Sequence, residues 1–231
     1  MELGEHARDE SEDSVLSGRS GERMAFIIPL LISLILFPGN LEAKVVEEHI
    51  YLVPAGEVDI KIIEKIEEEL PGALPMTADA GIYPRQKIPE NAYDPSRKQY
   101  KAETVLGDIS RRLVLDTRNE SVLVVADMDL YTPELNFVFG LADAKNKACI
   151  ISLARLRNEF YGLKPDNKLF LERALKEAVH ELGHVLGLGH CNSPKCVMYF
   201  SNGLPDTDRK RSTFCHKCRN ALQRRYIKPW V

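Results

Sequence analysis

The strongest restriction on the fold comes from a short segment rich in histidine, which reads His180-Glu181-Leu-Gly-His184-Val-Leu-Gly187-Leu-Gly-His190. Residues four apart on a helix are neighbours, with Cβ atoms ~5–6 Å apart, so His180 and His184 can bind one metal ion. Gly187 favours the left-handed backbone conformation that ends a helix. The turn that follows would return His190 to the same ion. The segment therefore predicts a helix that ends at a three-histidine metal site.

The acid within this segment, Glu181, is one position past the first histidine and therefore points to the side of the metal. Three protein ligands leave a fourth position for water, which distinguishes catalytic zinc from closed structural zinc. The pattern is the His-Glu-x-x-His signature with its metzincin extension. We predict a catalytic zinc ion at the three histidines, with Glu181 as the general base. The alternative is an amphipathic helix whose histidines are only exposed or hydrogen-bonded in the core.

Cysteines are concentrated near the C-terminus, where four of the five form two short-spaced pairs, Cys191 with Cys196 and Cys215 with Cys218. This spacing fits a tetrahedral Cys₄ zinc site, which is structural because every ligand position is filled. Two disulfides are the alternative if the chain is exported. His216 could also replace one thiolate. The fifth cysteine, Cys149, lies in a predicted strand and is expected to be a small buried apolar residue.

With these motifs in place, the chain resembles the archaemetzincins, a family of metzincin metallopeptidases that carry the histidine motif followed by four cysteines. The matching string runs from residue 180 to 218. Met198 stands where that family has the methionine of its Met-turn, beneath the catalytic zinc. Tyr199 is a candidate for stabilising an oxyanion, with a surface or core role as the alternative. Segments at 92–100 and 129–140 are also similar, so the resemblance covers about residues 46–226.

This resemblance implies a zinc-dependent metallopeptidase that hydrolyses peptide bonds in a peptide or protein substrate. It implies a cleft between a sheet-bearing N-terminal half and a C-terminal half. Residues 136–140 would form the edge strand along which an extended peptide pairs. We expect two zinc ions in each chain, one catalytic and one structural, and a monomeric protein.

A non-catalytic zinc-binding module that binds peptide or nucleic acid is the alternative function. It would use the basic residues around the second cysteine pair, which are Arg209, Lys210, Arg211, Lys217, Arg219, Arg224, Arg225 and Lys228. Basic residues on a zinc knuckle can bind phosphates. However, the net charge of the chain is −3, so no overall field attracts nucleic acid. We expect these residues to be a solvated surface and expect no nucleic-acid partner.

The pattern of apolar residues predicts an α+β fold of the metzincin type. Strands are predicted at 48–53, near 81–83, and at 121–127, 136–143 and 148–153. Helices are predicted at 59–70, where Pro71 and Gly72 would end the first, at 96–113, and from Asp166 or Asn167 through the histidine motif. These elements indicate a twisted mixed sheet with helices packed on it. An active-site helix and a small helical C-terminal part with the Cys₄ site would follow.

The N-terminal 43 residues differ in composition from the rest. Residues 1–23 are rich in acids and poor in apolar residues, which predicts disorder, and residues 24–37 carry no charge. That apolar run is short for a membrane-spanning helix but suits a signal segment. The chain would be exported or membrane-associated if residues 24–43 are such a segment, with membrane contact only if 24–37 are retained, and otherwise cytoplasmic. Residues 44–231 are predicted to form a single catalytic domain.

Overall fold

The computed structural model describes residues 47–113 and 119–226. Its strands are β1 (Glu48–Ala55), β2 (Ala78–Ile82), β3 (Tyr93–Asp94), β4 (Gln99–Lys101), β5 (Glu120–Ala126), β6 (Leu130–Thr132), β7 (Leu135–Val138), β8 (Gly140–Asp143) and β9 (Ala148–Ser152). Its α-helices are α1 (Ile60–Ala73), α2 (Ala102–Arg112), α3 (Asn167–Val185), α4 (Leu204–Arg209) and α5 (His216–Tyr226). The predicted α+β fold class is confirmed.

Five strands form the larger sheet, in the order β2-β1-β5-β9-β8. The first four are parallel to one another, and β8 runs antiparallel to β9, so the sheet is mixed as predicted. Four shorter strands form a second sheet in the order β3-β4-β6-β7, which the sequence did not lead us to expect. The cleft described below follows the edge strands of both sheets.

The central strand β5 is buried on both faces, as its run of β-branched residues predicted. Leu123 and Val125 contribute to a core that contains residues of α1, α3 and the C-terminal part. Val122 and Val124 contribute to a second core that contains residues of α2. The sheet is therefore covered by helices on both sides, and α3 lies against the face that it shares with α1.

The first helix begins where it was predicted but ends later. The Asp59 carboxylate accepts a hydrogen bond from the Lys61 backbone N–H at 3.0 Å, which is the geometry of an N-cap. Pro71 does not end the helix, which continues to Ala73. Pro71 lies in the last turn, so its missing N–H removes one hydrogen bond near the helix end, and the Leu74 N–H donates to the Pro71 carbonyl at 3.3 Å.

The predicted helix over 96–113 is wrong at its N-terminal end, because α2 begins only at Ala102. The Asp94 carboxylate accepts hydrogen bonds from the backbone N–H groups of Ser96 and Arg97 and so forms a local turn. Lys98 then adopts a left-handed conformation with φ 56°. The chain between this turn and α2 forms β4 instead of a helical turn.

The single strand predicted at 136–143 is also wrong, because the structure has two strands there. β7 pairs with β6 in the second sheet, and β8 pairs with β9 in the larger sheet. Phe139 separates the two strands and is buried in the core beside α3. One continuous apolar pattern in the sequence therefore spans two strands, and only the tertiary structure shows that the two strands pair with different neighbours.

Among residues 47–113 and 119–226, no helix is both long and apolar enough to cross a membrane. The predictions for the acidic stretch at 1–23 and the apolar run at 24–37 lie outside the described residues.

Candidate metal centre and cleft

Helix α3 carries the histidine motif and ends as the sequence predicted. Its N-cap is Asp166, whose carboxylate accepts a hydrogen bond from the Leu169 N–H at 2.9 Å. At the other end, Gly187 has φ 91°, and the Leu188 N–H donates to the Gly183 carbonyl at 2.8 Å. This bond across the last turn is typical of a Schellman C-cap with glycine in the left-handed conformation. The chain therefore turns sharply before His190.

The three histidines of the motif converge at the end of α3. Their ring nitrogens include a set that lies within 4.8 Å of one another. The ring centroids are 4.7 Å apart for His180 and His184, 5.4 Å for His180 and His190, and 4.7 Å for His184 and His190. Burial lowers the pKa of each of the three imidazoles, most strongly for His180. Burial therefore favours the neutral form of all three rings, which is the form that binds metals.

Hydrogen bonds select the ring nitrogens that are available to a metal. His180 Nδ1 lies 2.7 Å from the Val197 carbonyl oxygen, and His184 Nδ1 lies 2.8 Å from that of Leu188. A carbonyl oxygen only accepts, so both Nδ1 atoms carry the proton and both Nε2 atoms are acceptors. These two Nε2 atoms lie 3.1 Å apart. Two lone pairs that converge so closely fit a shared cation, and tetrahedral zinc places its nitrogen ligands about 3.3 Å apart.

Met198 packs directly beneath the motif. It is fully buried, and its backbone carbonyl accepts a hydrogen bond from the Cys191 N–H at 2.8 Å. A Cβ atom added at Gly183, between the two helical histidines, would overlap the Met198 sulfur. Glycine at position 183 therefore allows the methionine to approach the helix closely.

Glu181 is buried in the same region and has an unusual environment. Burial, reinforced by the carboxylate of Glu177 one helical turn earlier, raises the pKa of Glu181 to about 8. The charge of Lys210 acts in the opposite direction. Among the described residues, no side chain or backbone group forms a hydrogen bond with the Glu181 carboxylate. Its oxygens are therefore available to form hydrogen bonds with a molecule bound in the cleft.

A buried ion pair, which the sequence did not reveal, lies next to this site. Lys210 Nζ lies 3.1 Å from Glu177 Oε1, in the geometry of an ion pair rather than of a directed hydrogen bond. The Thr207 hydroxyl donates to the same oxygen at 3.0 Å. Lys210 was counted among the basic surface residues of the alternative nucleic-acid module, but it is buried and cannot contribute to such a surface.

A cleft of about 670 Å³ opens over the metal centre. Glu177, Glu181 and the three histidines line one side. The rest is lined by residues 134–142 together with Glu103, Thr132, Ala144, Phe200, Ser201 and Asn202. The predicted edge strand at 136–140 thus borders the cleft, although it belongs to β7 and β8 rather than to one strand. The lining residues do not include Tyr199, so nothing supports an oxyanion role for its hydroxyl.

The four C-terminal cysteines form a second convergent group. Their Sγ atoms lie within 4.8 Å of one another, and the Cys191 and Cys215 Sγ atoms are 3.8 Å apart. A tetrahedron with zinc–sulfur bonds of ~2.3 Å has edges of about 3.8 Å, so this spacing fits zinc. All five cysteines lie in the described part of the chain and none forms a disulfide. His216 is outside the group and lies beside Asn220 instead.

Backbone groups around the cysteines also fit bound thiolates. The Ser193 N–H points at Cys191 Sγ at 3.5 Å, and the Cys215 N–H points at Cys196 Sγ at 3.3 Å. For Cys215, burial raises the pKa, but hydrogen bonds from the Cys218 backbone and from neighbouring thiols outweigh it and lower the pKa to about 7. Cys149 is separate from this group. It is buried in the core as predicted, and burial raises its pKa.

Comparison with known proteins gives consistent matches. The model of peptidase family M54 matches residues 35–224. The archaemetzincin of Methanocaldococcus jannaschii is 43% identical over 178 residues, which cover 77% of this chain and 94% of that protein. That of Pyrococcus abyssi is 42% identical over 189 residues, which cover 79% and 98%. Both relatives are matched over nearly their whole length.

Solved structures agree with this result. A zinc-dependent peptidase from Methanocorpusculum labreanum superposes with a TM-score of 0.67 at 36% identity and covers 75% of this chain and 99% of that one. The archaemetzincin of Methanopyrus kandleri also has a TM-score of 0.67, at 38% identity, with coverages of 80% and 98%.

Proposed function

Because this chain belongs to peptidase family M54, we propose that it cleaves peptide bonds at the histidine centre, with Glu181 as the general base. The chain is a zinc metallopeptidase, and its substrates are peptides or proteins. The observation that carries the residue assignment is the convergence of two acceptor Nε2 atoms, 3.1 Å apart, beside a buried carboxylate in a cleft.

In the proposed reaction, His180, His184 and His190 hold the catalytic zinc. A zinc ion held by these residues would supply Lewis-acid chemistry: it would polarise the scissile carbonyl and lower the pKa of water to about 7. The Glu181 carboxylate accepts a proton from the attacking water and then donates it to the nitrogen of the leaving amine. Burial raises the pKa of the Glu181 carboxyl and so favours the protonated form that donates to the amine, whereas a zinc cation nearby would favour the charged form that accepts the proton.

We assign the four cysteines Cys191, Cys196, Cys215 and Cys218 to a structural zinc, which has no open ligand position. We assign Met198 to the floor beneath the catalytic site, where its buried side chain supports α3 through the space left by Gly183. Both ligand sets come from the same chain. The proposed chemistry therefore needs no second copy, and we propose a monomer whose catalytic domain is residues 44–231.

The test is Glu181→Gln, assayed on a library of quenched fluorescent peptides. We expect kcat to fall by about 10²–10⁴-fold, the usual contribution of a general base. Zinc content should stay the same, because Glu181 is not among the residues that converge on either candidate site. The matched control is Glu64→Gln, which makes the same change at an exposed position on helix α1. Full activity in Glu181→Gln would overturn the assignment.

A further inference from the structure

Strand β8 borders the cleft and packs against helix α3, and its side chains alternate between the two faces of the sheet. Leu141 packs against the core that contains α2, and Ala142 packs against the core that contains α3. By this alternation, a side chain at position 140 would point towards α3 in the same direction as Ala142. Position 140 is a glycine, so that place on the strand is left open.

The space beside Gly140 is occupied by Glu181. A Cβ atom at Gly140 would lie 2.5 Å from Glu181 Cγ, 2.6 Å from its Oε1 and 2.7 Å from its Cδ. Cβ atoms in proteins essentially never make contacts this short, so one of the two residues would have to move. Gly140 does not have a positive φ. The requirement for glycine here is therefore one of space and not of backbone conformation.

Packing is what positions this carboxylate. Glu181 has no hydrogen-bond partner among the described residues, so no donor holds its oxygens in place. Its Cγ, Cδ and Oε1 atoms instead occupy the space where a Cβ atom at Gly140 would lie. We propose that Gly140 is a positioning residue, whose missing side chain sets where the Glu181 carboxylate lies relative to the metal centre. This inference rests on the proposed role of Glu181 as the general base.

The consequence for catalysis follows from the short range of proton transfer. A general base must lie within about 2.6–3.2 Å of the proton donor. A displacement of about 1 Å can lower the rate by roughly 10²-fold. A methyl group at position 140 would displace Glu181, while the three histidines would stay on α3 and the loop after it. The variant should therefore bind metal and substrate normally and turn over slowly.

The experiment compares Gly140→Ala with Gly81→Ala in the full-length zinc-loaded protein. Both glycines lie in edge strands of the same sheet, and a Cβ at Gly81 would meet only the His49 ring, with Nε2 at 3.7 Å and Cε1 at 3.8 Å, which are ordinary contacts. For Gly140→Ala we expect kcat to fall by about 10–100-fold, with KM and zinc content nearly unchanged. For Gly81→Ala we expect wild-type kcat. Equal kcat values in the two variants would overturn the proposal.

A double-mutant cycle in thermal stability separates this proposal from the role of Glu181 itself. Gly140→Ala should lower the melting temperature when Glu181 is present and have little effect in the Glu181→Ala protein, where the overlapping atoms are gone. Equal shifts in both backgrounds would overturn the packing argument, whatever the activity of Glu181→Gln. A third outcome would be that Gly140→Ala lowers the melting temperature only when Glu181 is present, while Glu181→Gln remains fully active. This outcome would support the contact between the two residues but would reject Glu181 as the general base, and the effect of Gly140 on catalysis would be rejected with it.

Discussion

Lys210 is a cation that is fully buried behind the catalytic cleft, and its Nζ lies 3.1 Å from Glu177 Oε1. Removing one partner of a buried pair leaves the other charge without compensation, which costs about 3–5 kcal/mol. We therefore expect Lys210→Met to lower the free energy of unfolding by about that amount, measured by urea denaturation. The double variant with Glu177→Gln should regain much of the loss. A single variant as stable as the wild type would contradict this account.

Glu181 should also make stability depend on pH in the metal-free protein. Its pKa is raised from an ordinary value of 4.5 to about 8. Between these values the folded state retains a proton that the unfolded state has released, so stability falls as pH rises. We expect the free energy of unfolding of the wild type, relative to Glu181→Gln, to drop by up to about 5 kcal/mol from about pH 4.5 to about 8.

The control is the same curve of unfolding free energy against pH for Glu181→Gln. Subtracting it removes the contributions of the histidines, whose pKa values burial shifts in the opposite direction. Parallel curves for the two proteins would show that Glu181 does not titrate with a raised pKa. The metal must be absent, because a bound cation favours the charged carboxylate and lowers its pKa.

The sequence located the residues that converge at the two candidate metal sites better than the residues around them. Helix geometry places His180 next to His184, and the backbone preference of glycine predicts the turn at Gly187. Local rules were therefore sufficient to predict that these residues converge. Gly140 and Glu181 are far apart in the sequence, as are Glu177 and Lys210, and no local pattern relates them. Glu177 alone had a usable signal, because it lies one turn before Glu181 on the same helix.

At the scale of elements, the four cysteines converge from two parts of the chain: the loop between α3 and α4, which carries Cys191 and Cys196, and the start of α5, which carries Cys215 and Cys218. We expect Cys218→Ser and His184→Ala each to reduce the zinc content from two ions per chain to one, measured by atomic absorption. Cys218→Ser should lower the melting temperature more, because a closed structural site contributes its binding energy to folding.

The control for this comparison is Cys149→Ala, which removes a buried thiol outside the cluster and should leave both zinc ions in place. Retention of two zinc ions in Cys218→Ser would contradict the assignment of the cysteines to a metal site. Loss of both ions in that variant would show that the turn to His190 depends on the neighbouring Cys191 site.

Elements with a single periodic pattern were predicted well, and those that depend on tertiary pairing were not. The run of β-branched residues located β5, and the spacing of the apolar residues located α3. The short strands of the second sheet are three residues or fewer in β3, β4 and β6, too short to show an alternation. The split between β7 and β8 depends on which neighbour each strand pairs with, and this is not a local property.

At the scale of the whole molecule, all residues that line the cleft or converge on a candidate zinc site lie between Glu103 and Cys218. The strands and helices that support them begin at Glu48. We therefore expect a chain that starts at residue 44 to retain both zinc ions and roughly the wild-type kcat/KM. Loss of zinc or of activity in this variant would show that the first 43 residues belong to the catalytic unit.

A longer deletion provides the matched contrast, because β1 lies between β2 and β5 in the larger sheet and is mostly buried. A chain that starts after Ala55 would leave the backbone groups of both neighbouring strands without partners and would expose two faces of the core. We expect that variant to fail to fold, as judged by circular dichroism and proteolysis. If it folded and bound zinc, the sheet could not be what supports α3, and the domain boundary near residue 44 would lose its physical basis.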